Sequence, residues 1–493
     1  MAEGRARTLM LQGTSSSVGK SYLTAGLCRL YARRGLRVAP FKAQNMALNS
    51  AVTAEGHEIG RAQAMQAEAA RVAAEAAMNP ILLKAEGERS CQVVVMGESQ
   101  GTYSAAGYRE LRESLWPGVE AALEELRSRF DLILIEGAGS PAEVNLRDGE
   151  IVNMRVAAAA SAPVLLIGDI ERGGVFASLL GTLELLPAAD RERVRGLVVN
   201  RFRGDPELFA DGVRFLEQRS GLPVMGVVPH LDVRLPAEDS LDLEQLFRPR
   251  AGAAIDVAVI ELQRMSNFDE LEPLARESAV SMRLVADPAR LGRPDLIILP
   301  GSKTTVADLD QVRGSGLGEA IVTAQGAGTP VLGICAGYQM LGRRILDPAH
   351  IEGEDGVGLA LLDIDTVFEK TKITRRNQGR VIVRPGLLAL AGGHAISGYE
   401  IHMGRVQGGS RAAFELSSGP EGAVSADGWT LGTSLHGLLW NDAFRRALLE
   451  GLAQRRGIHL PPAAAGVLDP FDSLADSLER ALDMRAIDGL VGC

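Results

Sequence analysis

The chain has 493 residues, of which 46% are hydrophobic, 23% charged and only 4% aromatic, and it carries a net charge of −10. That length suits two or three domains with sizeable cores, and the acidic balance argues against non-specific binding to nucleic acid or membrane surfaces. Cys28, Cys91, Cys335 and Cys493 lie far apart with no C-x-x-C pair, which indicates neither a disulfide framework nor a zinc site. The opening MAEGRARTLML holds too short an apolar run for a signal peptide, and no apolar stretch reaches the roughly 18 residues of a membrane span. The expectation is a cytoplasmic enzyme or ATPase.

Short apolar runs alternate with helical segments almost throughout, which predicts an α/β protein with mostly parallel sheets. In the first half the predicted strands are TLMLQG, RVAPFK, DLILIEG, PVLLIGDI, RGLVVNRF and PVMGVVP. The Ala-rich stretch from Ile59 to Met78 has strong helix propensity. Between Leu231 and Ala254 the pattern lapses into prolines and acids, so residues 233–253 are expected to link a first domain, 1–232, to a second, 254–443. The second domain opens with the strands IDVAVIEL, VSMRLVAD, DLIILPGS and PVLGICAG. It closes with β-like, Gly-rich sequence through WTLGTSLHG, and residues 444–493 read as a helical tail.

The first strand runs into QGTSSSVGKS, in which Gly13, Thr14, Gly19, Lys20 and Ser21 form a phosphate-binding loop that opens a helix. Glycine lets the backbone approach phosphate, the helix N-terminus offers N–H groups, Lys20 neutralises β/γ charge, and Ser21 is placed to ligate Mg²⁺. Two more strands end in acids, Glu136 in DLILIEG and Asp169 in LLIGDI, where a carboxylate in an open α/β sheet meets Mg²⁺. Either acid also suits a plain loop cap, and Glu136 is the better placed of the two. Lys42 ends the RVAPFK strand and reads equally as a cation for a phosphoryl or carboxylate group or as a solvated lysine. Asn200, ending VRGLVVN, has two readings as well: a contact to the adenine edge, or an ordinary turn former.

In VLGICAGYQML, a buried strand, a sharp turn and a helix place Cys335 between Gly333 and Gly337. This is the logic of a nucleophile elbow. A nucleophilic Cys needs a base, and His436 ends the Gly-bounded run GTSLHG; His402 in YEIHMG competes for the role. Backbone N–H groups of Gly301 and Ser302 after the strand DLIIL, together with that of Ala336, are candidates for an oxyanion hole.

This second half resembles a class I glutamine amidotransferase, and the phosphate loop resembles that of dethiobiotin synthetase and its relatives. Class I enzymes usually follow the His with Pro-Glu, the Glu orienting the ring. Here the sequence is His436-Gly437-Leu438, so the third member of the triad is expected to be missing and the glutaminase to be modest. Together with FKAQNMALNS, GRAQAMQAEAA, LIEGAGSPAEVNL, DIERGGVFAS, NRFRGD and GYEIHMG, these motifs are similar, in order and over nearly the whole chain, to the cobyric acid synthase family. The resemblance implies ATP, Mg²⁺ and glutamine as cofactors and nitrogen donor. It also implies a corrinoid substrate: four peripheral carboxylates (b, d, e and g) of adenosylcobyrinic acid a,c-diamide, amidated in cobalamin biosynthesis. Gln44 and Asn45, with Asn49, Gln63 and Gln66, are candidates to line the corrinoid site, although each alone also suits capping or a solvated helix face. Rival readings are a sister a,c-diamide synthase, a plain amidohydrolase and a ParA-like scaffold ATPase.

Overall fold

In the computed structural model, the described residues are 5–86, 89–231, 233, 235, 246–461 and 469–492. The expected linker 233–253 falls largely outside them. The chain forms two compact units, one made of residues 1–47, 58–235 and 466–493, the other of 48–57 and 236–465.

The first unit is built on six parallel strands in the order Val224–Pro229, Val194–Phe202, Val164–Asp169, Arg7–Gly13, Leu132–Glu136 and Val38–Phe41. These are the six runs the sequence marks as strands. Leu132–Glu136 is buried along its whole length, as a strand covered on both faces must be. The reversal of strand order around Arg7–Gly13 brings the ends of the central strands to one edge, where ligands bind in such sheets. Helix Lys20–Arg33 packs against Pro470–Ala481 from the C-terminus, close enough at Gly26 that a side chain there would strike Leu474 and Leu478. The buried Arg29 guanidinium, 2.7 Å from Asp469, ties the same pair. A second sheet of this unit joins Gln44–Met46, Ile81–Ala85, Ser90–Val95 and Glu98–Ser104.

The Ala-rich stretch behaves differently from its propensity. Helix covers only Arg61–Ala69, because Arg71 takes a left-handed φ of 60° and the chain leaves the helical path there.

The second unit has parallel strands Val280–Val285, Ile255–Ile260, Leu296–Leu299, Val331–Ile334 and Thr430–Thr433, with Ala423–Val424 antiparallel at the edge. A long antiparallel hairpin, Ile364–Val381 with Ala395–Gly408, belongs to a separate sheet of this unit. The stretch read as a single tail divides: Asp442–Arg456 packs within the second unit, while Pro470–Ala481 and Met484–Val491 belong to the first. The apolar faces decide this, since Phe444, Leu448 and Leu452 join one core and Phe471, Leu474 and Ile487 the other.

Candidate active sites

In the second unit, strand Val331–Ile334 turns sharply at Cys335 into helix Ala336–Met340. Cys335 has φ 52° and ψ −105°, a conformation that non-glycine residues seldom adopt and that surrounding structure must impose. Gly337 makes the turn possible, since a Cβ there would run into the Leu299 carbonyl. The strand Thr430–Thr433 lies alongside in parallel register and delivers His436 three residues beyond its end.

Cys335 lies near enough to the His436 imidazole for its charge to favour the protonated ring, and its Sγ lies 3.7 Å from the Ile401 carbonyl. His436 is almost wholly buried, and its Nδ1–H donates to Glu270 Oε1 at 2.9 Å. The expectation of a missing third member is therefore corrected: the carboxylate comes from Glu270, 166 residues away in the chain. Its other oxygen accepts from the Gly437 N–H at 3.1 Å, which fixes the carboxylate against the turn that carries the histidine. Burial works against a charged ring, but Glu270 and Cys335 outweigh it and lift His436 well above the usual histidine range. His402, the competitor, is engaged elsewhere: Nδ1 lies 2.7 Å from the Gly404 carbonyl and Nε2 3.2 Å from Glu400.

Gly301 abuts the His436 ring, since a Cβ on it would lie 3.3 Å from His436 Cε1 and 3.0 Å from the Ser266 carbonyl. Ser302 follows it, with its hydroxyl donating to Asp308 and accepting from the Thr304 N–H at 2.9 Å. Ala336 begins the helix directly after Cys335.

The first unit assembles a different cluster. Lys20 opens its helix behind Gly19, which has φ 93°, and its ammonium donates to the carbonyls of Ser15 at 2.9 Å and Gly139 at 3.3 Å. Gly13 leaves no room for a Cβ, which would meet Val18, Lys20 Nζ and the Ser15 carbonyl. The Thr14 N–H is taken by the Ile167 carbonyl. Asn200 braces this loop by donating from Nδ2 to the Val18 carbonyl at 2.8 Å.

Glu136 is the hub. It accepts from Ser21 Oγ at 2.9 Å, Lys42 Nζ at 2.7 Å and Gln66 Nε2 at 2.5 Å, all from buried groups. Burial works against its charge, but Lys42, supported by Gln66 and Lys20, holds the carboxyl below its usual range. Asp169 stands apart from this cluster, paired with Arg201 at 2.9 Å and accepting from the Glu171 N–H. Among the described residues no three His, Cys, Asp or Glu side chains gather as a metal site. A hydroxyl beside one carboxylate nonetheless suits Mg²⁺, which keeps most of its coordination for water and phosphate. Gln44 accepts from the Tyr108 hydroxyl, and Asn45 donates to Gln63 at 3.1 Å.

Glu270 escapes a motif search because its stretch, Phe268 to Pro273, reads as an acidic loop. The available signal is spacing: Phe268, Leu271 and Leu274 recur at intervals of three and are all buried, turning Glu270 inward with them. No helix among the described residues is long and apolar enough to cross a membrane.

Comparison with known proteins agrees with this division. Residues 9–241 match the family model of the CobQ/CobB/MinD/ParA nucleotide binding domain, and residues 256–444 that of the CobB/CobQ-like glutamine amidotransferase domain. A protein of Sorangium cellulosum named cobyric acid synthase is 49% identical, covering 99% of both chains. Proteins of the same name from Desulforudis audaxviator and Dehalococcoides mccartyi are 48% and 46% identical. They cover 99% and 98% of this chain, and 99% and 97% of their own.

Proposed function

Because the chain belongs to the cobyric acid synthase family, we propose how its two sites divide one reaction. The protein is an ATP-dependent, glutamine-hydrolysing ligase of cobalamin biosynthesis. Its substrate, in our reading, is adenosylcobyrinic acid a,c-diamide, amidated at the b, d, e and g carboxylates in the cytoplasm. A carboxylate is a poor acyl donor because an oxide would have to leave. Transfer of the ATP γ-phosphoryl group gives an acyl phosphate, and ammonia then displaces phosphate to leave the amide.

The loop Gly13–Ser21 holds the ATP phosphates, with Lys20 exchanging its carbonyl partners for phosphate oxygens. Ser21 and Glu136, with Asp169 further along the sheet edge, would hold Mg²⁺, which supplies charge neutralisation to the phosphates. Asn200 keeps the loop in shape beside the nucleotide. Lys42, released from Glu136, steadies the incoming carboxylate, and Gln44 and Asn45 face the corrinoid amides.

In the other unit Cys335 attacks the glutamine side-chain amide, and His436 takes the thiol proton and returns it to the departing ammonia. Glu270 keeps the ring in the tautomer with Nδ1 protonated. N–H groups of Gly301, Ser302 and Ala336 receive the oxyanion, and water hydrolyses the thioester to glutamate. The observation that carries this half is the buried His436–Glu270 pair beside Cys335, whose backbone is held at φ 52°.

The test supplies either glutamine or an ammonium salt and counts amide formation on the corrinoid by mass spectrometry. Cys335→Ser is expected to lose glutamine-supported amidation by at least roughly 10³-fold and to keep ammonium-supported amidation. Lys20→Ala is expected to lose both. A Cys335→Ser enzyme that still uses glutamine, or a Lys20→Ala enzyme that still amidates, overturns the scheme.

A further inference from the structure

Residues Leu48–His57 group with the second unit, although the chain on both sides of them belongs to the first. Their strand, Ser50–Val52, is fully buried. The Ser50 N–H donates to Asn267 Oδ1 at 2.9 Å, the Ser50 carbonyl accepts from the Tyr399 hydroxyl at 3.1 Å, and the Val52 carbonyl accepts from Arg376 Nε at 2.8 Å.

Two of these three contacts end on residues that touch the glutaminase base. Asn267 Nδ2 lies 3.4 Å from His436 Nε2. The Tyr399 ring stacks on the imidazole with centroids 5.4 Å apart, and its main chain exchanges two hydrogen bonds with that of His436. Since Ser50 occupies Oδ1, the Asn267 amide can present only its N–H₂ to the ring. Nε2 is the atom that must receive the Cys335 proton, because Nδ1 is committed to Glu270. Asn267 thus bears directly on the nitrogen that takes the proton.

A second observation marks the segment as more than packing. Asn49, next to Ser50, is 1% exposed, and both polar atoms of its amide lack a hydrogen-bond partner among the described residues. Leaving such groups unmet costs about 1–3 kcal/mol each.

We propose that Asn267, oriented by the Ser50 amide, is a positioning residue for the glutaminase base. Segment Leu48–His57 is then the element by which the N-terminal chain sets the competence of nitrogen release. The segment continues directly from Gln44–Met46 and into Glu58–Gly60, stretches that flank Lys42 and lead to Gln66, both ligands of the Glu136 carboxylate. A shift of that chain on ATP or corrinoid binding would be felt at Ser50. The inference rests on Cys335 and His436 being the glutaminase pair.

The experiment compares wild type, Asn267→Gly and Asn267→Asp in the full chain, with Cys335→Ser as control. Asn267 has φ 53°, which glycine tolerates without strain. Asp keeps the acceptor for Ser50 and loses the donor toward Nε2. Both variants should lose roughly 10²-fold in glutamine-dependent kcat with little change in KM for glutamine, while ammonium-dependent amidation is retained. Stimulation of glutamine hydrolysis by ATP plus corrinoid, expected in the wild type, should vanish in Asn267→Gly. Wild-type kcat in Asn267→Asp, a parallel loss of ammonium-dependent amidation, or no stimulation in the wild type would each overturn the proposal. Glutamine use by Cys335→Ser would instead sink the underlying reading of the site.

Discussion

The two sites treat their charges in opposite ways. In the glutaminase the charged groups are already set in place, with Glu270 on His436 and His436 beside Cys335. At the phosphate loop they are turned on each other, Lys42 on Glu136 and Lys20 on backbone carbonyls. A site that cleaves a neutral amide needs a nucleophile and a base assembled beforehand. A site that binds a polyanion needs its cations satisfied until the anion arrives, because an unpaired buried charge is costly. The difference teaches that the ligase half must exchange partners on binding, whereas the glutaminase groups can keep the partners they have.

The largest expected effect breaks the self-paired cluster. Lys42→Met leaves the Glu136 carboxylate buried without its main cation. It should destabilise the first unit by about 3–5 kcal/mol at neutral pH, read as a lower denaturation midpoint. The native Glu136 titrates below its usual value, so its stabilisation is present above the unfolded carboxyl value and is lost as pH falls through the folded one. The gap between wild type and variant should accordingly narrow in acid. A gap below about 1 kcal/mol at pH 7, the range of exposed pairs, would mean that the cations were never held in reserve, and the contrast between the sites would fail.

How much of this was written in the sequence depends on how local each piece is. The parallel sheets are legible because most of their strands are short, mainly apolar runs closed by a turn former or a polar residue. The phosphate loop and the elbow are legible because a turn, a helix start and a reactive group occur within ten residues. Glu270 is not, since its partner is far away and its acidic neighbours suggest solvent, while Asp269, Glu270 and Glu272 are in fact buried. Nor does anything in ALNSAVTAEGH announce that it leaves one folding unit for the other. Such an excursion is decided by tertiary partners, Asn267, Arg376 and Tyr399, that no local pattern encodes. The Ala-rich helix fails for a related reason, as propensity is a weak prior once the chain is committed to a left-handed turn at Arg71.

The next effect sharpens the relay. Glu270→Gln keeps the size of the side chain and removes the charge that favours an imidazolium at His436. Glutamine-dependent kcat should fall roughly 10²-fold or more, since the tautomer and orientation of the ring are no longer enforced, and ammonium-dependent amidation should persist. The pH profile gives the sign: with Glu270 gone His436 falls toward its ordinary value, so the acid limb, below which the ring is protonated and cannot accept the thiol proton, moves to lower pH. An unmoved limb would detach Glu270 from the chemistry and leave it as a brace for Gly437.

The smallest effect concerns what stands behind the elbow. Glu421 accepts from Thr433 Oγ1 and from the Ser434 N–H, each at 2.6 Å, and the Thr433 carbonyl in turn receives the Cys335 N–H at 2.8 Å. Burial, with Glu400 nearby as a like charge and the Thr433 and Ser434 donors opposing, pushes the Glu421 carboxyl up to about 7. The folded protein therefore holds a proton that the unfolded chain releases. The stability tied to that proton is complete below the unfolded value and drains as pH rises through about 7. One such group contributes a slope of no more than ~1.4 kcal/mol per pH unit. Glu421→Gln keeps an acceptor and cannot ionise, so the thermal midpoint of the second unit should flatten between about pH 5 and 8, a window set by the unfolded and folded values. Identical slopes in both proteins would show that the strand beside Cys335 is indifferent to this proton, and that the preassembled site owes its rigidity to the Glu270 side alone.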